Sequence, residues 1–167
     1  CIKFLILCLL KIIKYQRPSI YESSKKFTSR FIQGFLDKKT GCYFIGNKPD
    51  YSELSALTMN VLNILDVLDE RPKFPEKMVD SILDDFHESN GLDLYESVNS
   101  INMLVTDSDY RRDDIEEYFM FCLRLIKLHW KPGLGFAYDA RSNGVDFKGS
   151  YYACSTIGII KSYLKKN

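Results

Sequence analysis

Gly133-Leu134-Gly135-Phe136-Ala137-Tyr138, followed by Asp146-Phe147-Lys148-Gly149-Ser150-Tyr151-Tyr152-Ala153, is the stretch on which the fold turns. An apolar helical segment stops at a glycine turn, a short loop carries one Asp, and a second helix begins. The same order occurs earlier, in Gly41-Cys42-Tyr43-Phe44-Ile45-Gly46, then Asp50, then a helix carrying Ser55-Ala56-Leu57. A shorter version lies between them, where Asn90-Gly91-Leu92-Asp93 precedes Ser97, Val98 and Ser100. Turn glycines spaced by roughly 40 to 50 residues fall in the range of two-helix repeats. One amphipathic hairpin cannot bury its apolar side alone, and stacking hairpins in series does so.

Outward from these turns, helical periodicity dominates. Leu54, Leu57, Val61, Leu65 and Leu68 fall on one stripe; so do Val79, Ile82, Leu83 and Phe86. Ile115, Phe119, Cys122 and Ile126 form a third, Ala153, Ile157, Ile160 and Leu164 a fourth, and Phe27, Phe31 and Phe35 an earlier one. Sustained period-two alternation, the mark of strands, is missing. The pattern predicts helices over residues 21–36, 75–89 and 111–130, with Asn90-Gly91 and Pro132-Gly133 as stops. Asp50 with Glu53 and Asp93 with Glu96 have capping-box spacing, and Asp109 or Asp113 could open the helix after residue 110. Second helices carry Ala56, Ser100, Ala153 and Gly158, which suits close inner packing. First helices carry Glu76, Lys77, Asp80 and Asp84, which suits an outer layer. No linker divides the chain, so residues 1–167 read as one helical-repeat domain.

Composition narrows the function classes. The net charge of +1 offers no basic face for nucleic acid. Aromatic content of 14% must fill a core or line a cavity. The five cysteines are scattered without a CxxC pair, which fits reduced, mostly buried thiols in a cytoplasm; Cys8, Cys122 and Cys154 read as core. The apolar run Ile2 to Tyr15 is broken by Lys3, Lys11 and Lys14, so it is too short and too charged for a membrane span. It reads as a helix left from a preceding repeat, with a signal-peptide h-region as the alternative.

The segment Gly133 to Ala153, followed by Ile157-Gly158-Ile159-Ile160, resembles a prenyltransferase/squalene-oxidase repeat: Gly-Gly-Phe, a short loop, Asp, Ser/Thr-Tyr, then Ala and a run of Leu or Ile. Gly41 to Leu65 is similar but looser: Cys42 stands at the second Gly, and Leu54-Ser55 replaces the Thr-Tyr pair. The middle unit lacks the Gly-Phe. The resemblance spans residues 22–165. It implies an all-α fold, an α/α toroid of helical hairpins in two layers, with about three hairpins here as part of a larger ring.

In such a ring Asp50, Glu53, Asp93, Glu96 and Asp146 would gather at one mouth as acids able to protonate an alkene or a glycosidic oxygen. Tyr43, Phe44, Tyr95, Trp130, Phe136 and Tyr138 would line a cavity, stabilising a carbocation or stacking on a sugar. As caps and loop packing, the same residues need no catalytic role. Asp107-Ser108-Asp109-Tyr110 departs from the Asp-x-Asp-Asp acid of terpene cyclases. No Asp-x-Cys zinc pair is present, and His87 and His129 read as helix-end residues, so no metal ligand or cofactor is indicated. Three readings stay open: an isoprenoid or other apolar ligand cavity, a carbohydrate-active or carbohydrate-binding toroid, and a non-catalytic scaffold for a protein partner or a missing toroid half.

Overall fold

The computed structural model describes residues 11–44, 51–84, 94–106, 108–138, 141 and 144–166, with the side chains of 51–55 and 166 outside that description. The elements are α1 (Pro18–Gln33), α2 (Tyr51–Val67), α3 (Pro75–Asp84), α4 (Leu94–Leu104), α5 (Arg112–His129), β1 (Trp130–Lys131), β2 (Gly135–Phe136) and α6 (Phe147–Lys166). The fold is all-α, relieved among the described residues by one two-stranded ribbon and one isolated bridge. The chain divides into two compact units, Cys1–Met78 and Val79–Asn167.

In the first unit Tyr21 and Ile32 of α1, Cys42 and Tyr43 of the turn, and Val61, Leu62 and Leu65 of α2 are buried. The Tyr21 hydroxyl donates to the Val67 carbonyl at 2.9 Å. That bond ties the end of α2 back to α1. Asp69, at φ 53°, supplies the left-handed residue that stops α2. The Glu70 N–H donates to the Leu65 carbonyl at 2.9 Å and the Asp69 N–H to Asp66 at 3.1 Å. These two bonds make a Schellman end on an Asp where glycine is commoner. Helix α1 starts three residues earlier than the pattern predicts and stops at Gln33. Beyond it the chain is drawn into a bridge that pairs Leu36 with Tyr43.

The burial of α1 corrects one expectation. Phe27 and Phe31, read as a core stripe, are 72% and 59% exposed. Around the helix they lie about 100° from the direction set by Tyr21 and Ile32. Three phenylalanines at helical spacing look like a core face in the sequence, but the core took the neighbouring face.

The second unit packs α4 along α6, with α5 against both. Its core holds Val79, Ile82, Leu94, Val98, Ile101, Ile115, Phe119, Cys122, Ile126, Ala153 and Ile160. The stripe from Ile115 to Ile126 is buried throughout, as periodicity requires. Leu164 is exposed and Tyr163 is buried in its stead, meeting Phe119 edge-on at 5.1 Å. Cys154 is exposed, where the sequence suggested core. Helix α5 opens on neither Asp109 nor Asp113 as a cap. Arg111, at φ 49°, takes the N-cap position and spans Asp80 (2.9 Å) and Asp114 (2.8 Å). Neighbouring carboxylates hold that guanidinium further toward the charged state.

The two units repeat one device. Leu36 faces Tyr43 and Trp130 faces Phe136, both antiparallel. In the first pair Phe44 N–H donates to Phe35 at 3.0 Å; in the second Ala137 N–H donates to His129 at 3.0 Å. Tyr43 and Phe136 therefore sit at non-hydrogen-bonded positions, with their own N–H and C=O turned outward. A hydroxyl from the following helix satisfies both groups. Tyr43 N–H donates to Thr58 Oγ1 at 3.1 Å, and that hydroxyl donates back to the Tyr43 carbonyl at 3.4 Å. Phe136 N–H donates to Ser150 Oγ at 3.2 Å, and that hydroxyl donates to the Phe136 carbonyl at 3.4 Å. The geometry corrects the sequence register: Thr58, not Ser55, matches Ser150. Hairpin strands of two residues are too short to show alternation, so the ribbon was invisible to periodicity.

Candidate functional site

Helices α4 and α6 begin side by side, and four rings cluster near their starts. Tyr95 stacks on Tyr152 with centroids 5.4 Å apart and planes 11° apart. Tyr95 also meets Tyr151 at 6.1 Å, and Tyr151 stacks on Phe147 at 6.4 Å. The order Phe147, Tyr151, Tyr95, Tyr152 is therefore a continuous chain of rings. Its first two members are open to solvent: Phe147 is 87% exposed and Tyr151 51%. Lys148 Nζ lies 4.2 Å from the Tyr138 centroid and 5.5 Å from that of Tyr152, adding a cation to the edge of the face.

Asp146 builds the support beneath this face. Its carboxylate accepts from Gly149 N–H at 2.6 Å and from Tyr138 N–H at 2.8 Å. One oxygen caps α6 and the other holds the loop that leaves β2. The Gly149 N–H, then the amides of Tyr138 and Lys148, hold this carboxyl below the usual aspartate range. It is an anion at neutral pH, the wrong state for a proton donor. Gly149 is buried and leaves no room for a side chain, since a Cβ there would stand 2.7 Å from Tyr138 N and 2.8 Å from Ala137 C.

The structure places part of the set singled out in the sequence. Asp50, Asp93 and His87 lie outside the described residues, and Glu53 is placed only by its backbone in α2. Glu96 sits half-buried in the first turn of α4, beside Tyr95 in sequence. Tyr43 has no exposed surface, so it packs within the first unit, where burial pushes its phenol up. Phe44 follows it, half-buried. Trp130 and Phe136 form a cross-strand ring pair at 4.9 Å, with Trp130 half-exposed. Tyr138 joins the aromatic face through Lys148. His129 Nδ1 lies 3.1 Å from the Ala137 carbonyl, at the end of α5.

Sequence reasoning thus found Tyr95 and Tyr138 but missed Phe147, Lys148, Tyr151 and Tyr152 as site residues. Their signal was present: Phe147 with Tyr151 and Lys148 with Tyr152 are both i,i+4 pairs on one helix. Burial pushes the Tyr95 phenol up, with Tyr151, Tyr152 and Glu96 adding to the shift. Among the described residues, no group of three His, Cys, Asp or Glu side chains is placed to hold a metal ion. No described helix is long and apolar enough to cross a membrane. In comparisons with known proteins, no family model matches the chain, and no curated protein or solved structure matches it.

Proposed function

We propose that this chain is a non-catalytic helical-hairpin scaffold, of the prenyltransferase/squalene-oxidase repeat kind, that binds a protein partner through the aromatic face where α4 and α6 begin. The observation that carries the reading is the chain of rings from Phe147 to Tyr152, open at Phe147 and Tyr151 and edged by Lys148. Small ligands favour concave pockets, whereas exposed Tyr and Phe clusters favour macromolecular contacts. Tyrosines held by stacking lose little freedom on binding, which suits them to anchor an interface. The locked, ionised Asp146 supports binding over proton-transfer chemistry. A partner segment with apolar side chains and an acidic residue facing Lys148 would match this face.

The reading is tested by panning the protein against a random peptide library and measuring selected peptides by fluorescence anisotropy. Acidic, apolar peptides should emerge, and Phe147→Ser with Tyr151→Ser should weaken them by tens of fold. Undiminished binding to that double variant would sink the proposal. So would measurable turnover of an isoprenoid diphosphate or a glycoside.

A further inference from the structure

The two units differ in net charge. Residues 1–78 hold thirteen Lys and Arg against eight Asp and Glu, while residues 79–167 hold ten against fourteen. On the basic unit, α1 carries a protruding apolar ridge: Ile20, Phe27 and Phe31 occupy one stripe and are each at least half exposed. The rings of Phe27 and Phe31 are stacked, 6.3 Å apart with planes 9° apart, so the ridge is ordered before it meets anything. Each ring follows a cation in sequence, Lys26 before Phe27 and Arg30 before Phe31, one helical turn apart, and both cations are exposed.

The acidic unit carries a matching recess. A half-open cavity of about 280 Å³ is lined by Leu83, Tyr118 and Phe121 with Asp114, Glu117, Arg111 and Arg124. A cavity of about 150 Å³ already holds a benzene-sized ring. Asp113, Asp114 and Glu117 stand exposed within one turn of α5, the same spacing as the two cations of the ridge. Arg111 is engaged by Asp80 and Asp114, and Arg124 offers a planar guanidinium on which an incoming ring can stack.

We propose that the Phe27–Phe31 ridge of one copy docks in the Leu83–Phe121 recess of a second copy, with Lys26 and Arg30 facing the acids of α5. The contact is head-to-tail, joining unlike surfaces, so a docked pair still has one free ridge and one free recess for further neighbours. This surface is separate from the aromatic face of α4 and α6, and the proposal does not rest on the partner reading above.

Sedimentation velocity on the full chain tests it, from low micromolar to several hundred micromolar, at 50 and 500 mM NaCl. The mass should rise with concentration, and high salt should weaken association several-fold. Phe27→Ser with Phe31→Ser should leave a monomer; both positions are exposed, and circular dichroism verifies the helices. The charge swap is decisive. Lys26→Glu with Arg30→Glu, and separately Asp113→Lys with Glu117→Lys, should each abolish self-association, and mixing the two variants should restore it. A monomer at every concentration overturns the proposal. So does association indifferent to the ridge, or two variants that stay apart when mixed. Monomers that bind anionic phosphatidylserine vesicles through Phe27 and Phe31 would assign the ridge to lipid and also overturn it.

Discussion

Replacing Thr58 with Val removes one hydroxyl and almost no volume, at a position with no exposed surface. The hydroxyl accepts from Tyr43 N–H at 3.1 Å, and Tyr43 is equally buried. No water can take its place, so the variant leaves a buried amide without a partner, which costs about 1–3 kcal/mol. The return bond to the Tyr43 carbonyl, at 3.4 Å, is long and adds little. Taking about 2 kcal/mol and a urea dependence of about 2 kcal/mol per molar, the midpoint should fall by about 1 M. A unit-specific reading is available from amide exchange, where Tyr43 should exchange roughly thirtyfold faster. Thr58→Ser is the control: it keeps the hydroxyl, loses one methyl worth about 1 kcal/mol, and should leave Tyr43 protected. The half-buried counterpart, Ser150→Ala, should cost less, because solvent can reach Phe136. A cost under about 0.5 kcal/mol for Thr58→Val, or equal damage from Ser and Val, would refute the unpaired Tyr43 amide as the cause.

Two glycines of α6 should respond oppositely to Ala. Gly149→Ala forces a Cβ against the backbone of Ala137 and Tyr138 and should destabilise the second unit by about 1–3 kcal/mol, while Gly158→Ala meets nothing within 4 Å and should stabilise by up to about 1 kcal/mol, both read by thermal denaturation. Because the Asp146 carboxyl is held below its unfolded value, its contribution is complete above about pH 4 and is lost as pH falls through the lower folded value. Asp146→Asn should therefore lower the melting temperature at pH 7, with the gap to the parent protein closing toward pH 2. Burial pushes the Cys122 thiol up to about 12 and leaves Cys154 exposed. Iodoacetamide at pH 8 should alkylate Cys154 in the native protein and reach Cys122 only in denaturant, as mass spectrometry of peptides would show. The Cys122 shift also means that stability falls as pH rises above the thiol's unfolded value of about 8.5.

Much of the fold was legible because helices write a 3.6-residue period into their own sequence. The stripe from Ile115 to Ile126 announced α5 and its buried side, and Pro132-Gly133 announced its end. The repeat order of helix, Gly turn, Asp and helix was also readable. Its register was not, because a Thr or Ser is one hydroxyl among many until a particular backbone amide faces it. Only the bridge from Leu36 to Tyr43 shows that Thr58 holds the place taken by Ser150. The candidate face was half legible for a similar reason. Tyr95 and Tyr138 attracted notice beside turns, whereas Tyr151 and Tyr152 looked like ordinary helical residues until α4 lay beside α6.

The sequence by itself determined that the chain is helical, where α5 stops, and that its turns recur. Those are local properties, set by periodicity, glycine and proline, and they need no knowledge of neighbours. Tertiary structure decided which of two apolar faces α1 buries, why Asp146 is an anchored anion, and which rings meet. Phe27 and Tyr21 are both aromatic and six residues apart on one helix; only the surface offered by α2 and its end, through bonds such as Tyr21 to Val67, selects between them.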